Sequence, residues 1–139
     1  AGIQETLPRK SPKAARPTRH GVHFLVEDRA GRILVRRRAE KGLLGGMLEI
    51  PGTPWREERW TRQDALAHAP LAGLRWTALP GEAMHGFTHF ELRMTLLGAS
   101  HPGEAPEGFS FMDRAAAAAA MPTAMRRLLA LLDNPTAPP

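Results

Sequence analysis

The chain has 139 residues, enough for one domain with a hydrophobic core of its own. It contains no cysteine, which excludes disulfides and thiolate metal sites and fits a reducing compartment. No apolar run approaches the roughly 20 residues of a membrane-spanning helix, and the N-terminus lacks the apolar centre of a signal peptide. The sequence therefore predicts a cytoplasmic protein with no membrane partner.

The formal net charge of +5 is concentrated at the N-terminus. Residues 1–20 contain five basic residues and one acidic residue, a net +4 that leaves +1 on the rest of the chain. A basic segment beside a near-neutral domain suits binding to a polyanion such as nucleic acid, although a solvated tail that aids solubility has the same composition. The five basic residues are Arg9, Lys10, Lys13, Arg16 and Arg19.

Composition divides the chain into three segments. Residues 1–19 contain three prolines among small and charged residues, and they predict a basic, extended interdomain linker outside the core. Residues 20–133 have the apolar periodicity of a folded domain, and residues 134–139 are predicted to be a disordered tail. Because the chain opens in a linker, we expect it to be a fragment of a larger protein.

The first half of the domain contains strand patterns around a glycine-rich stretch. Alternating apolar residues predict a strand at 22–26, a tight hairpin turn at 29–31 and a second strand at 32–38. Three glycines in the five positions 42–46 predict a loop with positive φ angles or close backbone packing. A short apolar strand follows, and Pro51-Gly52 is predicted to end it as a turn.

The second half alternates further strand patterns with helix signals. Thr61 is the predicted N-cap of a short helix that Pro70 ends. Asp113 is predicted to cap the alanine run, and Pro122 to begin a last helix with an apolar stripe. The predicted elements are a helix at 61–69, strands at 74–78, 85–97 and 109–112, and two helices after residue 113. This order predicts an α+β fold, a mixed β-sheet flanked by a few helices.

The segment from Arg36 to Glu58 resembles the opening of a Nudix domain: a strand, a glycine-rich loop, a short strand, Pro-Gly and acidic residues. Nudix hydrolases use a box of the form G-x5-E-x7-R-E-U-x-E-E-x-G-U, whose carboxylates bind a divalent metal against a diphosphate. Counted from Gly52, Glu58 falls at the first glutamate. The catalytic half falls on Leu66–Leu71, which reads Leu-Ala-His-Ala-Pro-Leu. Every charged position is lost, so no catalytic residue and no metal site is predicted.

Four motifs are similar to the C-terminal domain of the MutY-type adenine DNA glycosylases. The stretch from Gly42 to Trp55, Gly-Leu-Leu-Gly-Gly-Met-Leu-Glu-Ile-Pro-Gly-Thr-Pro-Trp, resembles that family's degenerate Nudix domain. The linker residues, with Leu7-Pro8-Arg9-Lys10 and Arg16-Pro17-Thr18-Arg19, resemble its interdomain linker. His85–Phe90 resembles its lesion-recognition loop, and Met121–Arg126 its closing helix. The resemblance covers nearly the whole chain, in the right order.

The resemblance implies a role in DNA base-excision repair. The parent enzyme, an N-glycosyl hydrolase, removes adenine mispaired with 8-oxoguanine after flipping it out of the duplex. Its catalytic residues and an iron–sulfur cluster belong to a separate N-terminal domain, since this chain lacks the four cysteines of a cluster. The implied partners are double-stranded DNA with 8-oxoguanine opposite adenine, that catalytic domain, and a repair protein at the linker. The implied location is the bacterial cytoplasm, at the nucleoid.

The candidate site is the recognition loop, Phe87-Thr88-His89. Oxidation of guanine at C8 turns N7 into an N–H donor and adds a carbonyl oxygen. A hydroxyl both donates and accepts, so Thr88 could pair with N7–H and O8. Phe87 could stack beside the base, and His89 could contact base or phosphate. From the pattern alone, Phe87 is also compatible with a core aromatic residue and Thr88 with an ordinary strand residue.

Several alternatives stay open at this point. Arg36, Arg37 and Arg38 are candidates for phosphate contacts, like the basic residues of the linker, but a charged strand edge is an equal alternative. His85 and His89 could share a strand face, yet a metal site needs a third ligand. Besides the DNA-recognition hypothesis, the chain could be a diverged Nudix pyrophosphohydrolase with displaced metal ligands, or a protein-interaction module of a repair protein.

Overall fold

The computed structural model describes residues 16–133. Within them, seven strands form a mixed sheet that three α-helices and a final 3-10 turn flank, and none of the helices is long and apolar enough to cross a membrane. The strands are β1 (Thr18–Glu27), β2 (Ile33–Arg37), β3 (Leu48–Glu49), β4 (Thr77–Ala78), β5 (Ala83–Gly86), β6 (Glu91–Ser100) and β7 (Ser110–Met112). The helices are α1 (Arg62–Leu66), α2 (Arg114–Ala120) and α3 (Thr123–Leu129), and the 3-10 turn is Ala130–Asp133.

Two ten-residue strands form the centre of the sheet. β1 and β6 run parallel over their whole length, from Thr18 opposite Glu91 to Glu27 opposite Ser100. β2 pairs with β1, β3 and β7 pair with β2, and β4 and β5 pair with β6, all antiparallel. Arg19, which composition assigned to the linker, lies in β1. The predicted α+β fold with a mixed sheet is confirmed.

The sheet has a core on each face because successive residues of a strand point to opposite sides. Leu25 and Leu96 enter the larger core, which α2 and α3 cover. Their neighbours Phe24 and Leu97 enter the smaller core, beneath α1. The predicted apolar stripe of the last helix is confirmed, since its buried members belong to the larger core; they are Met121, Met125, Leu128 and Leu129.

Two of the three predicted helix starts are confirmed by capping bonds. The Thr61 hydroxyl accepts a hydrogen bond from the Asp64 backbone N–H at 3.0 Å, and the Asp113 carboxylate accepts one from the Ala116 N–H at 3.2 Å. Pro122 is the N-cap of α3. The two capping side chains pair backbone donors at their helix starts, whereas Pro122 makes no side-chain capping bond. α1 is shorter than predicted, because its last residues continue only as hydrogen-bonded turns up to residue 69.

The predicted strand at 85–97 was wrong, because the chain forms a hairpin there. β5 ends at Gly86, and Phe87 N–H donates to the Phe90 carbonyl at 2.8 Å to close the loop. A period of two fits one long strand and the two strands of a hairpin equally, so the pattern could not locate the loop. Pro51-Gly52 ends β3, but as an extended segment along β1: the Pro51 carbonyl accepts from Phe24 N–H at 2.8 Å.

Candidate nucleic-acid interface

The recognition loop joins β5 to β6 at the N-terminal end of β6. The last pair of the ladder is Gly86 opposite Glu91, and the residues between them form the loop. Thr88 and His89 are exposed, whereas Phe87 is half-buried. The structure thus presents two adjacent polar side chains to solvent, on a hairpin tip closed by a backbone hydrogen bond.

A group of aromatic rings supports the loop from below. The Phe87 ring stacks on Trp55, with centroids 6.2 Å apart and planes 27° apart. It also contacts the rings of Phe90 and His85, at centroid distances of 4.9 Å and 4.8 Å. Phe90 is buried in the larger core. Phe87 therefore packs on the edge of that core, in agreement with the core-aromatic alternative, and it fixes the loop to the sheet.

Trp55 connects this aromatic group to a buried histidine. Its indole N–H donates to His23 Nε2 at 3.2 Å, and His23 Nδ1 lies 2.8 Å from the Ile50 carbonyl. A carbonyl only accepts, so the ring carries its proton on Nδ1 and accepts from the indole at Nε2. Burial lowers the pKa of His23 from its ordinary value. His23 is therefore neutral, and both of its ring nitrogens are paired.

Three arginines lie around the aromatic group. Arg16 Nη1 donates to the Phe87 carbonyl at 2.9 Å. The Arg19 guanidinium lies 4.4 Å over the Phe90 ring, and that of Arg38 lies 4.5 Å over the Trp55 ring. Cations over aromatic faces are attracted by the ring quadrupole. Of the predicted phosphate-binding residues of the linker, Arg16 and Arg19 are thus beside the recognition loop, and Arg9, Lys10 and Lys13 lie outside the described residues.

The arginines at the end of β2 have internal partners. Arg36 Nε and Arg38 Nη1 donate to the two oxygens of the buried Glu49 carboxylate, at 2.9 Å and 2.8 Å. Arg38 Nε also donates to the Leu43 carbonyl, and Arg37 Nη1 to that of Gly46. These bonds hold the glycine-rich loop against the sheet and satisfy a carboxylate that would be costly to bury alone. Arg37 is exposed, so it has the most freedom to contact an external phosphate.

The glycine-rich loop has the positive φ angles and the close backbone packing that its glycines predict. Gly42 and Gly46 have φ angles of 99° and 75°, and a Cβ on Gly45 would lie 2.1 Å from the Glu40 carbonyl oxygen. The loop borders a cleft of about 510 Å³ whose lining includes Arg36, Arg37, Arg38 and Lys41. Sequence reasoning missed Lys41 as a member of this basic cleft, because only the folded loop places it beside β2.

The positions of the Nudix box do not fit a magnesium site. Glu58 is exposed, and α1 ends at Leu66, where the catalytic half of the box begins. The positions that require glutamates are occupied by Ala67, Pro70 and Leu71. Among residues 16–133, no three His, Asp or Glu side chains form a group that could hold a metal ion. The box geometry therefore lacks the oxygen ligands that a hard cation needs.

A comparison with known protein families identifies the family of this chain. The NUDIX domain family matches residues 22–131, most of the chain. The chain belongs to the NUDIX domain family. No curated protein matches this Nudix domain in a search by sequence.

Solved structures of two kinds share the fold of this Nudix domain. The C-terminal domain of mouse MUTYH, in complex with human PCNA, has a TM-score of 0.66 and 22% identity, over 84% of this chain and 88% of that one. A MutT protein from Methanosarcina mazei has a TM-score of 0.63 and 16% identity, over 86% and 95%. A MutT NUDIX hydrolase from Burkholderia pseudomallei has a TM-score of 0.57 and 19% identity, over 84% and 98%. At these identities the likeness establishes the fold alone.

Proposed function

We propose that this Nudix domain recognises 8-oxoguanine in DNA, as the C-terminal domain of a MutY-type adenine DNA glycosylase. The observation that carries the proposal is the recognition loop: Thr88 and His89 are exposed together, while Phe87 anchors them to the core. A loop that recognises the edge of a base needs exposed polar groups in a fixed position, because ordering a flexible loop on binding lowers the affinity.

The charges around the loop suit a DNA backbone. Arg16 and Arg19 lie beside the loop, next to the linker residues that the sequence makes basic. Phosphate contacts orient a protein on DNA, and contacts to the bases give it sequence or lesion specificity. In the proposed complex the arginines contact phosphates near the lesion, and Thr88 contacts the N7–H and O8 of 8-oxoguanine. Normal guanine has an acceptor at N7 and no O8, so it cannot form the same pair.

In this proposal the domain has no catalytic residue of its own. Adenine removal belongs to the N-terminal catalytic domain of the parent protein, with its iron–sulfur cluster, and this domain positions that partner through the opposite strand. The likeness to the MUTYH C-terminal domain supports the assignment, as do the lost carboxylates of the box. A repair protein that binds near the linker is part of the same proposal, since the mouse domain was solved in complex with PCNA.

The test is a titration of the 139-residue chain with two DNA duplexes. They are identical except that one carries 8-oxoguanine and the other guanine, each opposite adenine, at one fixed salt concentration. We expect tighter binding to the oxidised duplex, by at least about fivefold, which corresponds to one well-made hydrogen bond to the base. Equal affinities would contradict the proposal.

A diverged pyrophosphohydrolase is the second candidate, and the basic cleft favours it. Four cations line that cleft, and MutT proteins share the fold; the cations are Arg36, Arg37, Arg38 and Lys41. The missing carboxylates speak against this second candidate. The four cations could bind a diphosphate, but the box has no carboxylates to hold a metal ion against it. Metal-dependent turnover of a nucleoside triphosphate or a dinucleotide would favour this candidate over DNA recognition.

A further inference from the structure

Trp55 lies on a backbone segment that is fixed to β1. Thr53 N–H donates to the Val22 carbonyl at 2.9 Å, and Arg56 N–H donates to the His20 carbonyl at 3.1 Å. Trp55 lies between these two attachment points. Its backbone therefore moves only if pairing with the central strand of the sheet is broken.

The indole ring of Trp55 is held on several sides. Its N–H donates to the buried, neutral His23, and the Arg38 guanidinium lies over its face. Its edge lies against the backbone of Gly21, where a Cβ would be 2.5 Å from Trp55 Cδ1. A side chain at position 21 would displace the indole. The sequence thus keeps a glycine in the middle of β1, an unfavourable position for glycine in a strand, where the indole needs the space.

The exposed end of this assembly is the recognition loop. Trp55 stacks on Phe87, and the next residue is Thr88. Phe87 is further fixed by its backbone bonds to Phe90 and Arg16. Because only four residues connect β5 to β6, a shift of the Phe87 ring moves the Thr88 hydroxyl with it. A displacement of about 1 Å is enough to weaken a hydrogen bond that must meet a fixed base edge.

We propose that Trp55 is the positioning residue of the recognition loop: it sets the place of Thr88 through Phe87 and touches no base itself. This inference rests on the proposed function. The path runs from buried His23 through the Trp55 indole to the Phe87 ring, so a residue packed beside β1 decides how well the exposed loop discriminates 8-oxoguanine from guanine.

The test compares Trp55→Leu with Trp76→Leu in the 139-residue chain. Trp76 is a matched control, because it packs edge-on against Phe24 at 5.3 Å, in the smaller core on the other face of the sheet. Two quantities are measured: the ratio of affinities for the oxidised and normal duplexes, and the hydrogen-exchange protection of the Phe87 amide. The His101 amide, which donates to the Glu27 carbonyl at the opposite end of the β1–β6 pair, is the internal reference.

We expect Trp55→Leu to lower the affinity ratio by about fivefold or more, and to lower Phe87 protection relative to His101. Trp55→Phe keeps a stacked ring and should restore most of both quantities. Trp76→Leu should lower global stability and leave both the ratio and the relative Phe87 protection at the parent value. A merely structural role for Trp55 would move both tryptophan variants alike.

Gly21→Ala tests the same path without changing an aromatic residue. The new methyl group should displace the Trp55 indole and lower the affinity ratio and Phe87 protection in the same direction. Gly98→Ala is its control, since a Cβ there meets only the flexible end of Leu79, at 3.2 Å. In a Trp55→Leu background, Gly21→Ala should have no further effect on the ratio, because the ring it displaces is gone.

The outcomes separate this inference from the proposed function. If the parent chain binds both duplexes equally, the proposed function fails, and the positioning role fails with it. If the parent discriminates but Trp55→Leu keeps its affinity ratio, or both tryptophan variants lose it equally, the positioning role is overturned and the proposed function stands. Lost Phe87 protection with an unchanged ratio also overturns it, because the loop would then recognise the base without Trp55.

Discussion

The recognition loop and the segment from Glu58 to Leu71 lie in the same fold and differ in what supports their side chains. The loop is short and exposed, but its aromatic anchor is packed on the core and its carbonyl is bound by an arginine. In the segment from Glu58 to Leu71, helix α1 ends at Leu66. Neutral residues occupy the positions where the box has its later glutamates. This Nudix domain therefore lacks the carboxylates of the box, while an exposed loop on a different edge of the sheet is held in place by packing.

Gly52 belongs to the box by its position in the sequence, but its packing supports the recognition loop. It is the first residue of the degenerate box, yet it does not take part in a metal site. A Cβ at this position would lie 2.5 Å from Nδ1 of the buried His23. The glycine is thus needed for the packing that supports the recognition loop, and its place in the box says nothing about hydrolysis.

Gly52→Ala should have the largest effect on stability. The methyl group would overlap a buried ring that is bonded on both nitrogens, and overpacking of this kind costs about 1–3 kcal/mol. Urea unfolding of the variant and the parent measures the difference. Gly98→Ala, where the new methyl group meets only a flexible leucine, is the control and should cost less. A Gly52→Ala chain as stable as the parent would mean that His23 does not pack as described.

The stability of the domain should fall in mild acid. Burial keeps the folded-state pKa of His23 below the ordinary value of 6.5, at which the unfolded chain titrates. Below pH 6.5 the unfolded state binds a proton that the folded state does not. The stabilisation is therefore complete above pH 6.5 and is lost as the pH falls, by up to about 1.4 kcal/mol per pH unit for one proton.

The measurement for that prediction is the pH dependence of unfolding in the parent and in His23→Gln. The pKa values of His20 and His85 are also lowered, mainly by burial, so they add to the slope of both proteins. The difference between the two slopes belongs to His23. Identical slopes would show that His23 is protonated equally in the folded and unfolded states.

Removing residues 1–15 should change the salt dependence of DNA binding. The deletion leaves β1 and Arg16 in place and removes three basic residues, Arg9, Lys10 and Lys13. Each phosphate contact that is lost should flatten the log–log salt slope by about 0.9. Circular dichroism would verify that the truncated domain is folded. An unchanged slope would make this segment a tether or a protein-docking segment.

The smallest expected effect is in hydrolysis, where we expect none. With Mg²⁺ or Mn²⁺, the chain should not cleave nucleoside triphosphates or dinucleotides, because Ala67, Pro70 and Leu71 supply no carboxylate. Glu58→Gln should behave like the parent in this assay. Turnover above background that Glu58→Gln abolishes would show that the segment from Glu58 to Leu71 is a working site. It would support the hydrolase hypothesis.

Local signals in the sequence predicted much of the fold. Thr61 and Asp113 cap their helices through side chains next to the helix start, and the stripe of α3 follows from helical spacing. The support of the recognition loop was beyond such signals. Trp55 is 32 positions from His23 in the chain, and Phe87 lies in the connection between β5 and β6. Only the fold brings these three side chains together. The sequence does not indicate that Trp55 supports the loop, because neither contact is between residues close in the chain.

The sequence proposed which residues form the candidate site, but it did not predict the shape of the chain there. The resemblance at His85–Phe90 implied a loop, whereas the period of two predicted a strand and concealed the hairpin that exposes Thr88 and His89. The arginines at the end of β2 show the same limit. Their charge suggested phosphate contacts, while their bonds to Glu49 depend on a register between β2 and β3 that composition does not specify.

The most direct test of the central claim is the affinity ratio of Thr88→Val for the duplexes with 8-oxoguanine and guanine. Valine keeps the shape of threonine and removes the hydroxyl from an exposed position, so the fold should be unaffected. An unpaired base edge costs about 1–3 kcal/mol, so the preference for 8-oxoguanine should fall by at least about fivefold. Thr88→Ser, which retains the hydroxyl, should keep the parent's preference. If Thr88→Val discriminates as well as the parent, the loop's backbone or His89 recognises the lesion, and the role given to Thr88 is wrong.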